Sequence, residues 1–315
     1  MRTSRGVAAC LLLLLAGCGD EEEESTPGGP VTTITPAVSE GFQSPLDAVV
    51  SPDGSTFYFT AYTTDAESEA AIFSVPADGG AATTLHAGAP LSLPTGLVLS
   101  CDGATLIVAD MAMRSAEEGV DTPDGGALYS IATSGGTLSP LMAEGIYAPS
   151  GLAVSFDCAT LYVTGTTAEG MAALFKLPIQ GGTATIVHEG APLRAPTGMY
   201  VDKTEVAWVL DHIAGSSDHG ALYAIYPDGN VQAVMEGLAL GTPGGCSLDS
   251  AAGTAFVPTR AEGEPARLTT IELATAKVTP IDAPDVLDPA GLRTAREAPV
   301  FALVDHDGNK IFKVK

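Results

Sequence analysis

A chain of 315 residues in which 45% of the side chains are apolar can build a sizeable core, which excludes a disordered protein. Its 36 Gly and 22 Pro, with only 17% charged residues, exclude a helical bundle or coiled coil and predict an all-β fold of short strands joined by tight turns. With 38 Asp plus Glu against 14 Lys plus Arg, the net charge is -24, and nucleic acid is excluded as a partner because its phosphates need a basic footprint.

The chain opens with Arg2 and Arg5, followed by an apolar run over residues 7–16 that contains five consecutive leucines. That order matches the charged and apolar regions of an export signal. At about ten residues, the run is too short to span a bilayer. Leu15-Ala16-Gly17-Cys18 resembles the lipobox of bacterial lipoproteins, which implies removal of residues 1–17 and acylation of Cys18. Several acyl chains there would hold the protein on a membrane, each buried methylene contributing about 0.8 kcal/mol. The alternative is an ordinary secreted protein with an incidental Cys18. Gly19 stands where inner-membrane lipoproteins carry Asp, so the resemblance implies outer-membrane delivery, facing either the periplasm or the outside. Residues 18–30 complete this region as an acidic tether: beyond Cys18 they combine five acids with Gly, Pro, Ser and Thr and have no apolar residue to bury.

From residue 31 to residue 315, one segment type recurs six times, starting at Pro45-Leu-Asp, Pro94-Thr-Gly, Pro149-Ser-Gly, Pro196-Thr-Gly, Pro243-Gly-Gly and Pro289-Ala-Gly. Each start leads through a turn, such as the one opening at Ser51, Ser100 or Ser155, into an apolar strand such as TFYFTAY, TLIVAD or TLYVTG. A variable loop, a third strand such as ALYSI, a second tight turn and a fourth strand follow. Four strands per unit in six units predict a six-bladed β-propeller. The sixth unit has only three strands before Lys315, and the β-branched segment 31–37 is expected to supply its fourth and so close the ring. A two-sheet sandwich would account for the strands but not for six matching starts.

In a propeller the first strand of each blade lines the central channel. The loops between second and third strands are long (63–71, 111–127, 164–172, 212–220 and 258–266) and share a face with the Pro-x-Gly starts, so that elaborated face is expected to hold the site. Asp47 occupies the position that is Gly96, Gly151, Gly198, Gly245 and Gly291 in the other units, and is read as a ligand-binding carboxylate or as an acceptor for backbone N–H groups of a neighbouring start. Asp110, Asp211 and Asp305 end equivalent second strands, and His212 and His306 follow two of them. Such groups can converge on a cation. They can equally cap turns, which is the commoner use of Asp after a strand. His86 and His188 occur in matching sequences on outer strands, and repetition accounts for them better than ligation.

Residues 41–315 resemble the SMP-30/gluconolactonase and NHL-type six-bladed propellers, most clearly over residues 149–163, where Pro-Ser-Gly-Leu-Ala-Val-Ser-Phe-Asp-Cys-Ala-Thr-Leu-Tyr-Val is similar to that family's repeat. The resemblance implies a lactonase whose divalent metal is held partly by Asn and Asp just before such glycines. Here those positions are Thr95, Ser150 and Thr197, and hydroxyls are poor substitutes around a hard cation. The whole chain has two Asn, Asn230 and Asn309, neither in such a start. The resemblance therefore supports the scaffold and argues against the metal-dependent lactonase.

Of the five cysteines, Cys10 leaves with the signal and Cys18 is the lipid site. Cys101 and Cys158 lie in first turns of adjacent units, on the plain face, and are expected to form a disulfide in an oxidising compartment. Cys246 is read as a small buried apolar residue. No nucleophile elbow, zinc-binding His-Glu-x-x-His, Walker loop or Cys-x-x-Cys occurs. The expectation is a membrane-anchored, exported, non-catalytic propeller. It would need no cofactor and bind a protein, glycan or small molecule on its loop-rich face. The alternative is an exported hydrolase, lactonase or lyase using the Asp47 region, with Ca²⁺ as the cofactor to test.

Overall fold

The computed structural model describes residues 31, 33–111, 126–214, 219–249 and 253–315. The export signal, Cys18, the tether and most of the loop 111–127 lie outside the described residues. No helix forms among the described residues; the strands assemble into six four-stranded antiparallel sheets, one for each repeat. The chain is a six-bladed β-propeller.

Blade 1 consists of β2 (Ala48–Val50), β3 (Thr56–Tyr62), β4 (Ala70–Pro76) and β5 (Thr83–Ala87). Blade 2 has β6 (Pro94–Leu99), β7 (Thr105–Asp110), β8 (Ala127–Ala132) and β9 (Ser139–Leu141). Blade 3 has β11 (Leu152–Val154), β12 (Thr160–Thr166), β13 (Ala172–Pro178) and β15 (Thr185–Glu189). Between them, the short β10 (Ala143–Glu144) pairs in parallel with β14 (Gly182–Thr183) and ties the outer edge of blade 2 to blade 3. Blade 4 is β16 (Pro196–Val201), β17 (Ala207–Ala214), β18 (His219–Ile225) and β19 (Val231–Leu238). Blade 5 is β20 (Ser247–Asp249), β21 (Thr254–Thr259), β22 (Arg267–Glu272) and β23 (Lys277–Asp282). Blade 6 takes β24 (Pro289–Thr294), β25 (Phe301–Asp305) and β26 (Lys310–Val314) from the C-terminus and β1 (Ile34–Val38) from the N-terminus, with Ile34 opposite Val314. The expected ring closure is present.

Every blade has a neighbour on both faces, so a strand must be apolar on both sides, and this is why the second strands read as unbroken apolar runs rather than alternating ones. In β3, Phe57, Phe59 and Ala61 point into the seam with blade 6, where they join Phe73, Ala302, Val304 and Ile311. Tyr58 and Tyr62 of the same strand pack toward blade 2. The buried residues fall into six clusters, one per seam. The first turns of blades 1, 2 and 3 repeat one device. Ser51, Ser100 and Ser155 each donate a hydroxyl to Asp53, Asp102 and Asp157, and each aspartate in turn accepts a backbone N–H from the next strand's approach, at 3.0, 3.0 and 3.1 Å.

Candidate functional site

The Pro-x-Gly ends of the first strands meet backbone to backbone. A Cβ on Gly96 would run into the Ser150 carbonyl, one on Gly151 into the Thr197 carbonyl, and one on Gly198 into the backbone of Gly245. The hydroxyls and amides beside the glycines stitch the ring. Thr95 Oγ1 donates to Ser150 O at 3.3 Å, Thr164 Oγ1 to Thr197 O at 2.7 Å, and Thr197 Oγ1 to Gly244 O at 2.8 Å. Ser150 takes part through its backbone, its carbonyl accepting from Thr95 and its N–H donating to Thr164. Thr95, Ser150 and Thr197, the positions matching the lactonase metal ligands, thus hold the backbones of successive blades together. The first strands are drawn together at this end.

Asp47 fits the same junction. Its side chain is 4% exposed. Oδ1 accepts from Ala48 N at 2.9 Å, Oδ2 from Leu97 N at 3.0 Å, and the Arg293 guanidinium lies 3.4 Å from Oδ2. It takes the room left by Gly291, where a Cβ would strike it. Burial pushes its carboxyl above the ordinary range, opposed by the Arg293 charge and the two backbone donors. Of the two sequence readings, the acceptor for a neighbouring start describes this geometry.

Asp110, Asp211 and Asp305 stay in blades 2, 4 and 6 and each holds the connection entering its own blade. Asp110 accepts from Ser92 N and Leu93 N at 2.6 and 3.0 Å, and Asp211 from Arg194 N and Ala195 N at 2.8 and 3.1 Å. Asp305 accepts from Leu287 N, Asp288 N and Gly308 N at 3.0, 2.8 and 3.0 Å. Backbone donors engage both oxygens of each, and the geometry is that of turn caps. Among the described residues, no three His, Cys, Asp or Glu stand together as a set of metal ligands. His306 Nδ1 lies 3.1 Å from Pro45 O, across the seam between blades 6 and 1. His212 Nδ1 is buried with no hydrogen-bond partner, and burial holds its pKa low against the pull of Asp211 and Asp288. Cys246 is buried beside the Trp208 carbonyl, its thiol pushed up to about 11 by burial.

The open space lies at the other end. A cavity of about 680 Å³ enters the channel from the face of the short first turns. The first strands splay toward this face, where side chains replace the touching glycines. The walls are mostly aliphatic, including Val49, Val98, Leu99, Ala153 and Val201, with Tyr200 among them. Arg293 lies across the floor, donating one Nη to the Met199 carbonyl of blade 4 and facing Asp47 of blade 1 with the other. Its Nε is buried with no acceptor. The rim is made of turn residues: Pro52, Cys101, Phe156, Lys203, Arg296 and Glu297. Arg296 of blade 6 reaches Phe156 of blade 3, its Nη2 donating to Phe156 O at 2.6 Å and its guanidinium lying 5.5 Å from the ring centre. Cys101 and Cys158 are joined at this rim, with Cα atoms 5.9 Å apart. The concave space thus opens on the plain face, opposite the elaborated face on which the sequence places its expected site. Sequence carried a usable sign of it, because a column of glycines marks the end at which the strands touch.

No protein-family model matches the chain, and no curated protein sequence matches it. Solved structures share the architecture. A protein of unknown function from Bacteroides thetaiotaomicron has a TM-score of 0.62 and 14% identity, over 92% of this chain and 73% of that one. TolB from Acinetobacter baumannii has a TM-score of 0.56 and 13% identity, over 84% of this chain and 64% of that one. A chain of the nidogen/laminin complex has a TM-score of 0.57 and 14% identity, over 81% of this chain and 91% of that one. At such identities these likenesses establish the propeller fold alone.

Proposed function

We propose that the chain is an exported, lipid-anchored protein whose propeller is a non-catalytic binding module, with its ligand seated in the cavity of the turn face. The observation that carries this reading is the shape of the channel: drawn in at the glycine end, where neighbouring backbones touch, open at the other, and lined by apolar walls with a few polar groups, as ligand sites commonly are. The carboxylates that chemistry would draw on, Asp47, Asp110, Asp211 and Asp305, hold backbone N–H groups instead. A propeller chain in a nidogen/laminin complex supports a protein as a further partner for the loop-rich face. The lipobox resemblance supports the anchor at Cys18 and an outer-membrane address.

Two measurements test the reading. In a bacterial host, the full chain should incorporate a fatty-acid label and fractionate with membranes, and Cys18→Ala should abolish both; label retained in the variant overturns the anchor. Ligand-observed NMR with a fragment library should find binders of the mature chain that are lost in Val98→Trp, which fills the cavity. Fragments that bind both proteins alike overturn the cavity as the site. Chelator-sensitive turnover of lactones or esters, abolished by Asp47→Ala, would replace the binding module by a Ca²⁺-dependent enzyme.

A further inference from the structure

We propose that the turn-face cavity binds an organic carboxylate with an apolar body, admitted when its carboxylate displaces Phe156 from Arg296. The inference rests on the cavity being a ligand site and adds the class of ligand and the way in. Charge placement supplies the first argument. Lys and Arg number 14 in a chain with 38 acids, yet Arg293, Lys203 and Arg296 all border this one space. Arg293 is matched by Asp47 at the floor. Of the two carboxylates that line the cavity, Asp249 is buried in the wall and Glu297 is on the rim. At the mouth Lys203 and Arg296 stand beside Glu297, and the first turns of the same face also carry Asp53, Asp102 and Asp157, so the cations the mouth offers a ligand are these two side chains on an otherwise acidic face.

The second argument is what Arg296 now touches. Blades 3 and 6 face each other across a six-membered ring, so the Arg296–Phe156 contact spans the mouth along a diameter. It consists of a hydrogen bond to a neutral carbonyl and a cation over an aromatic face, and Phe156 is itself 64% exposed. A carboxylate is the stronger acceptor: charge-assisted bonds to guanidinium are roughly twice as strong as neutral ones and can be bidentate. Exchanging the Phe156 carbonyl for a ligand carboxylate is therefore favourable at Arg296, with Lys203 as a second cation, and the same exchange clears the mouth. The freed ring and the aliphatic wall then cover an apolar body. A dianion such as a phosphate ester meets the repulsion of the whole acidic molecule twice over, which favours the single charge of a carboxylate.

The test uses three probes with one body and different heads: naphthylacetate, naphthylethanol and naphthylethylammonium, titrated calorimetrically into the mature chain. Naphthylacetate should bind one to one, with the alcohol weaker by about tenfold or more and the ammonium weaker still. Arg296→Gln and Lys203→Gln should each weaken the acid by about tenfold while leaving the alcohol unchanged, and Val98→Trp should abolish all binding. Thermal melts confirm that each variant is folded. Alcohol or ammonium binding as tightly as the acid overturns the carboxylate class and leaves the ligand site standing. No binding of any probe, or binding indifferent to Val98→Trp, overturns both.

Discussion

Asp47 and Arg293 form a buried pair whose members come from opposite ends of the chain, and removing one member strands the other. Asp47→Ala would leave the Arg293 charge and the Ala48 and Leu97 N–H groups without their acceptor. Breaking such a buried pair costs about 3–5 kcal/mol, so the urea midpoint should fall sharply, and a loss below about 1 kcal/mol would show the pair to be dispensable. Titration at the first turns has the opposite exposure and a definite sign. The Ser51 hydroxyl and Ser55 N–H hold Asp53 down to about 2, and Asp102 and Asp157 are lowered by the matching bonds, while Asp78, in the second turn of blade 1, is lowered by Lys313. A group lowered by folding contributes stability above its ordinary value of 3.8 and loses it as pH falls through the folded value. Asp47 and Asp211 are raised and act the other way, losing their contribution as pH rises through their folded values. Urea melts should therefore show stability falling from pH 3.8 to about 2, with Asp53→Asn flattening part of that slope, and a slope unchanged in the variant would refute the assignment. Asp47 was legible in the sequence as the one carboxylate in a column of glycines. Its partner was not, because nothing in the repeat marks which first-strand side chain will cross the channel.

At the scale of the strand, the glycine column sets the shape of the channel. Gly151→Ala would drive a methyl into the Thr197 carbonyl, backbone that is fixed by Thr164 and the neighbouring start. The expected loss is about 3 kcal/mol, the upper end of overpacking costs, read from denaturant melts; a neutral Gly151→Ala would mean that the ends do not touch. The starts, turns and strand order were legible because the blades repeat the same local chemistry: Pro at the entrance and an apolar second strand throughout, with Ser-x-Asp in the first turns of blades 1 to 3. The location of the cavity was harder to read. Loop length reports tolerance of insertion at the surface, whereas a concavity arises from the angle between first strands, which depends on where small residues let them meet. Asp110, Asp211 and Asp305 were recognisable as equivalent, but equivalence in separate blades places such groups around a ring and does not bring them together.

For the molecule as a whole, two fastenings decide whether six blades stay in one ring. The first is β1, which covers the edge of β26 and buries Ala37 and Val38 in the seam with blade 1. Deleting residues 31–38 should lower the thermal midpoint and promote association through the bared edge, seen by light scattering; an unchanged melt would show the closure to be superfluous. The second is the Cys101–Cys158 bond, whose partners are 57 residues apart. On the chain-entropy model it contributes about 4 kcal/mol. Thiol titration of the denatured, unreduced chain expressed from Gly19 should count one free thiol, that of Cys246, and three would disprove the bond. Blades 2 and 3 are thus fastened twice, by sulfur at the inner rim and by the β10–β14 pair at the outer edge. Two attachment points at different radii prevent the blades from pivoting about either one, so this third of the ring moves as a single wedge. Phe156 rides on that wedge while Arg296 rides on the blade closed by the N-terminal strand. Any change in the width of the mouth is therefore a swing of the non-covalently closed side against a stiff one, and the ring has a built-in hinge side despite its sixfold repeat.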